Sequence, residues 1–241
     1  MPRYKTHTVK TMTKYVEFIR EHCRPEDVLF RGQPIDRPLV PKIGRISLCD
    51  ELLHAECVMM DEFKRRVPPL LDVEPKPEWD WLAIAQQHGM ATRLLDWTDN
   101  PLAALWFVVE QPFGEEKGQP NFGVIWILIP TEDDYADDAE NPFQIEKTKI
   151  FLPKHIEPHL VRQAGWFTVH ALMKSRKRFV PLENNRAYSS KLTKLRIPPE
   201  AFKDMRFDLD RFNVNSAALF PDIDGLCAHI QWVNSRLQDE N

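Results

Sequence analysis

The stretch "QQHGMATRLLDWTDNPLAALWF", Gln86 to Phe107, decides how this chain is read. It begins with two glutamines and a histidine, passes through Arg93 and Asp96, and ends in an apolar run. Gly89 is a natural left-handed stop for a helix running from Trp79 to His88. "TRLLDW" then reads as extended chain. Asn100-Pro101 restarts a helix, with Asn100 as the cap and Pro101 at the first position, where its missing N–H costs nothing. "LAALWFVV" is apolar nearly all round, which puts this helix at the centre of the core. Leu94 and Leu95 are expected inside, and they pin Thr92, Arg93, Asp96, Trp97 and Thr98 in place. Two readings of those polar groups stay open. They form a rim of donors and acceptors beside an aromatic wall, or a network in which Asp96 or Thr98 satisfies loop N–H groups ahead of the helix.

Outward from this stretch, the pattern predicts a helix from Thr8 to Cys23 with Val9, Met12, Val16 and Ile19 on one face. Val28 to Phe30 reads as a short buried strand ended by "RGQP". Ser47 to Arg66 reads as a helix capped by Ser47, with Leu52, Leu53, Val58, Met59 and Phe63 inward. "FGVIWILI" (Phe122 to Ile129) is apolar on both faces and predicts an inner strand. Thr131 to Asn141 is acidic and reads as a solvated loop. "GWFTVH" (Gly165 to His170) and Lys191 to Ile197 read as further strands. A short helix follows Pro198-Pro199, and a last one is capped by Asp222 or Asp224. No repeat or flexible linker is evident. One mixed α/β domain over 1–241, helical up to about residue 90 and sheet-rich beyond, is the simplest organisation.

With 241 residues, 43% of them hydrophobic and 28% charged, the composition is that of a globular protein. A net charge of −4 excludes a general polyanion binder, so nucleic acid would need a local basic patch. Lys174, Arg176, Lys177 and Arg178, with Arg186, Lys191, Lys194 and Arg196, form one such cluster, for which a solvated charged face is the commoner explanation. The cysteines Cys23, Cys49, Cys57 and Cys227 lack metal-binding or disulfide spacing. They read as buried free thiols of a cytoplasmic protein, and no metal is expected. No secretory signal or membrane-spanning run is present in the sequence.

The residue types nominate several site candidates. Arg31, at the end of a buried strand, suits a phosphate or carboxylate clamp, with Gly32 permitting close approach of ligand or backbone; pairing with Asp96 is the structural alternative. His88 is a general-base candidate, or a cation at a helix C-terminus. In "RQAGWFTVH", alternation puts Trp166, Thr168 and His170 on one face and Phe167 and Val169 on the other, and the polar face suggests a pocket.

The chain resembles the FRG-domain family. The resemblance is carried by Phe30-Arg31-Gly32, "PKIGRI" (Pro41 to Ile46), "DEFKRR" (Asp61 to Arg66), the central motif, "RQAGWFTVH" and "LFPDIDGL" (Leu219 to Leu226). Where the family commonly has histidine this chain has Gln87, and His88 follows it. The family's layout is similar to that of ADP-ribosyltransferases, which implies a split sheet flanked by helices. The resemblance implies NAD as a substrate. Arg31, Asp96, Thr98 and Gln163 take catalytic positions. Arg31, Gly32, Gln33, Gln86, His88, Arg93, Trp97, Trp166, Phe167 and Thr168 hold the dinucleotide. It further implies a bacterial or phage toxin or defence effector that modifies a nucleic acid or a protein, restrained by an antitoxin or immunity partner. The alternative is a binding module without catalysis.

Overall fold

The computed structural model describes residues 4–23, 28–71, 75, 77–112, 115–116, 119–137, 139–153, 165–173 and 178–240. The fold is built around the helix that the central motif predicted, Pro101–Val109. Asn100 Oδ1 accepts from the N–H groups of Leu102 and Ala103, as its capping role requires. Ala103, Ala104, Leu105, Trp106, Val108 and Val109 are all buried.

In chain order the strands are β1 (Lys5–Thr8), β2 (Leu29–Gln33), β3 (Leu94–Thr98), β4 (Glu115–Glu116), β5 (Gln119–Pro120), β6 (Gly123–Leu128), β7 (Lys149–Phe151), β8 (Gly165–Val169) and β9 (Leu192–Ile197). The helices are α1 (Met12–His22), α2 (Leu52–Arg66), α3 (Glu78–Gln87), α4 (Pro101–Val109), α5 (Phe202–Arg211), α6 (Ser216–Leu219) and α7 (Ile223–Val233). Seven strands form one sheet in the order β1-β9-β6-β2-β3-β8-β7, while β4 and β5 pair separately. β1 runs parallel to β9 and the other neighbours in the large sheet are antiparallel, so the sheet is mixed. The whole is a mixed α/β fold, as the element pattern implied.

The rungs show where this sheet is weakest. β2 and β6 share five rungs, as do β3 and β8, but β2 and β3 meet only at Phe30 opposite Thr98. Past that rung the strands part, leaving Gly32 and Asp96 facing a gap. α4 lies over it, and a Cβ on Gly32 would sit 2.0 Å from the Ala104 carbonyl oxygen. The glycine is therefore required by close packing of helix backbone on strand backbone.

Several elements differ from the sequence expectation. β1 is an edge strand that the sequence pattern did not reveal. α2 begins at Leu52 behind Glu51, not at Ser47, and buries Glu56 and Met60 while Leu53 and Val58 face outward. The cause is Arg93, whose charge turns the Glu56 face of the helix inward. In α1, Met12 is buried as expected, but so is Tyr15, which donates to the Pro101 carbonyl at 2.7 Å, and Val16 is exposed. Asp134, within the stretch expected to be solvated, is buried and paired with Lys191 at 2.5 Å. Cys49, Cys57 and Cys227 are exposed rather than buried: Cys49 lies in the loop ahead of α2, and α2 and α7 turn Cys57 and Cys227 outward. No helix among the described residues is long and apolar enough to cross a membrane.

Candidate functional site

The parting of β2 and β3 opens a hollow of about 300 Å³ lined by Arg31, Gly32, Asp96, Thr98 and Phe167, with Phe107 and Phe220 on the helical side. β2 supplies the arginine, β3 the carboxylate and hydroxyl, and β8 the aromatic floor. Pairing fixes the last relation, because Asp96 lies directly opposite Phe167 on β8.

Arg31 reaches across the gap. Its Nη1 donates to the Asp96 carbonyl at 2.6 Å and lies 3.4 Å from the Asp96 carboxylate. Its Nε has no partner among the described residues. The Arg31 side chain is 18% exposed and that of Asp96 57%. Burial pulls Arg31 below its ordinary value, against the opposing pull of Asp96, yet arginine stays charged at neutral pH. The Asp96 carboxylate receives the Gln86 amide at 3.2 Å on each oxygen, and Gln86 in turn accepts from Thr92 at 2.6 Å. Thr98 Oγ1 accepts from the Asn100 N–H at 3.0 Å, which leaves its own O–H free to donate. Both readings of the central motif are thus present: a capping network that also faces an open hollow.

Of the residues nominated by sequence, Arg31, Gly32, Asp96, Trp97, Thr98 and Phe167 line the hollow, and Gln86 supports it through Asp96. Gln163, Lys174, Arg176 and Lys177 lie outside the described residues. Arg93 is a correction. It is buried away from the hollow and held by Glu56 Oε1 at 2.9 Å, Glu56 Oε2 at 2.5 Å and the Pro142 carbonyl at 3.0 Å, so no ligand reaches it. His88 is a second correction. It is exposed where α3 ends, and Gly89 at φ 84° turns the chain away. Gln33 stands at the far end of β2 opposite Val124, outside the lining. Gln87, at the family's histidine position, has both amide atoms sheltered and without a bond from a described residue.

The polar face of β8 is not the pocket face. Alternation holds, but Trp166, Thr168 and His170 point to the opposite side from Phe167. There Trp97 Nε1 donates to Thr168 Oγ1 at 3.0 Å, and Thr168 Oγ1 lies 3.2 Å from His170 Nε2. Trp97 and Trp166 pack with Leu95 and Trp126 in an apolar cluster. Burial, then the charges of Arg31 and Arg93, push His170 down to about 3. Phe107 and Phe220 line the hollow together with Phe167, and both were missed although they sit in motifs singled out above. The signal was an aromatic at the far end of an apolar helix, which periodicity alone reads as core.

The basic cluster is dispersed among the described residues. Lys191 pairs with Asp134 and Lys194 with Asp36 at 2.6 Å, while Arg178 and Arg186 are exposed. No curated protein and no solved structure matches the chain. Residues 26–117, which hold Arg31, Gly32, Asp96, Thr98 and Phe107, match the family model of the FRG domain.

Proposed function

We propose that the hollow between β2 and β3 binds the nicotinamide–ribose half of NAD, and that the protein transfers ADP-ribose to a macromolecule. The observation that carries this reading is the convergence of a guanidinium, a carboxylate and a hydroxyl from distant stretches of chain on one solvent-reachable hollow with aromatic walls. Its volume of about 300 Å³ is at the lower end for ligand pockets, so it suits half of a dinucleotide.

In the reaction the bond between ribose C1′ and the nicotinamide nitrogen breaks, and its electron pair neutralises the pyridinium. Positive charge develops on the ribose, as in glycoside hydrolysis. An acceptor nucleophile then bonds to C1′ and gives up its proton. Asp96 supplies the negative charge beside the sugar and accepts from a ribose hydroxyl. Thr98 donates to a ribose oxygen, Arg31 grips the pyrophosphate, and Phe107 and Phe167 flank the base. No glutamate lines the hollow among the described residues. Asp96 therefore takes the role that a glutamate fills in the enzymes this layout resembles.

A second reading rests on a different observation. Arg31, Asp96, Gln86 and Thr98 already bond to one another or to backbone, as a binding module that closes its own domain would require. Either reading suits a toxin or phage-defence effector held in check by a partner protein. Incubation with labelled NAD and cell lysate separates them. Wild type releases nicotinamide and labels a macromolecule, and Arg31→Ala does neither. No release by wild type, or equal release by Arg31→Ala, refutes the enzymatic reading.

A further inference from the structure

A second cavity lies next to the hollow. It measures about 560 Å³ and opens between the end of α4, α5 and α7. Phe220 lines both spaces. Its ring centroid is 5.8 Å from that of Trp106, which faces the large cavity, and 6.2 Å from that of Phe107, which faces the hollow. One aromatic side chain therefore forms the shared wall of two adjoining compartments.

The chemistry of the second compartment is opposite to that of the first. Glu110, Asp210, Asp222 and Asp224 line it, with the indoles of Trp106 and Trp232. The one arginine among its lining residues, Arg206, is already held by Asp239 and Glu240 and by the Val109 and Gln111 carbonyls. No hydrogen bond from a described residue reaches the Glu110 carboxyl, and burial pushes that group up to about 7. A carboxyl destabilised as an anion by burial gains most from a cation brought beside it. Aromatic faces attract the same partner. A phosphate backbone would meet four carboxyl groups there, of which Asp210 already faces His229 at 3.8 Å and accepts from Asn215 at 2.9 Å.

We propose that this cavity is the acceptor subsite of the transferase reading and that it receives a cationic side chain, a guanidinium or ammonium group of a target protein, past Phe220 from the donor hollow. The inference rests on that reading for its purpose but has its own readout. Tryptophan fluorescence of the full chain is titrated with a tetra-arginine peptide, a tetra-glutamate peptide and a single-stranded RNA oligomer. Tetra-arginine binds saturably and the two anionic probes do not. Glu110→Gln combined with Asp210→Asn weakens the binding about tenfold, in line with the loss of a partly desolvated charge partner. Arg31→Ala keeps peptide binding while abolishing nicotinamide release, so failure of the donor site and failure of the acceptor site are told apart. Should the double variant not melt cooperatively, Asp224→Asn on the exposed side of α7 is titrated instead, and binding about threefold weaker is expected. No tetra-arginine binding, equal binding of tetra-glutamate or RNA, or unchanged affinity in the acidic variants overturns the assignment.

Discussion

Arg31 lies on β2 and Arg93 immediately ahead of β3, and each faces one carboxylate. Every guanidinium nitrogen of Arg93 is bonded: two bonds reach Glu56 and a third Pro142, and its cation lies 5.1 Å from the centre of the Phe143 ring. Its side chain is 1% exposed. Arg31 makes one short bond, to a backbone carbonyl, has an Nε without a partner among the described residues, and touches solvent. Arg206 repeats the Arg93 pattern, with both its carboxylate partners buried. Residue type does not separate a structural arginine from one at a site. The number of donors left over does, because a fully bonded guanidinium has nothing to offer a ligand.

The largest test of that contrast is to unpair Arg93. Glu56→Gln leaves a buried cation facing a neutral amide, which costs about 3–5 kcal/mol. For a chain of this size that lowers Tm by roughly 10 °C. Nicotinamide release per folded molecule should stay at the wild-type level. A melt within about 2 °C of wild type would show that the buried pair is not the structural element described here.

His170 lies in the field of both arginines and gives a smaller effect. Unfolded, it titrates near its ordinary value of about 6.5. Folded, it is pushed down to about 3 by burial and by Arg31 and Arg93. Between those values the unfolded chain takes up a proton that the folded chain refuses. Stability therefore falls as pH drops from about 6.5 towards 3, by up to about 1.4 kcal/mol per pH unit. Urea midpoints measured across this range should fall less steeply in His170→Asn than in wild type, and equal slopes would contradict the buried neutral imidazole.

The helix at the centre of the fold was legible because its cap, its proline and its apolar composition agree. The inner strand β6 was legible for a similar reason: all six of its residues are buried, so its sequence is a continuous apolar run. Leu52, Met59 and Phe63 of α2 pack inward as expected, but the burial of Glu56 was not legible, because its partner lies 37 positions away and no local pattern carries that pairing. The orientation of β8 was misjudged on the same ground. Alternation told which side chains share a face, while the pairing of β8 with β3 decided which face meets the gap. Phe220 belongs to a segment far from the rest of the hollow in sequence and joins it only through its packing on Trp106 and Phe107.

The smallest expected change in stability is the most informative. In Asp96→Asn the 2.6 Å bond from Arg31 survives, because it ends on the backbone carbonyl and not on the carboxylate. The Gln86 contacts at 3.2 Å keep an amide oxygen as acceptor, and the lost charge lies 3.4 Å from Arg31 with 57% of its side chain in solvent. Screening limits the loss from such an exposed pair to under about 1 kcal/mol, a few degrees of Tm at most. The charge beside the ribose, in contrast, is gone, so nicotinamide release should collapse while the melt barely moves. A large drop in Tm with release unchanged would invert the contrast between the two arginines, making Asp96 part of the scaffold and leaving the hollow without its reactive group.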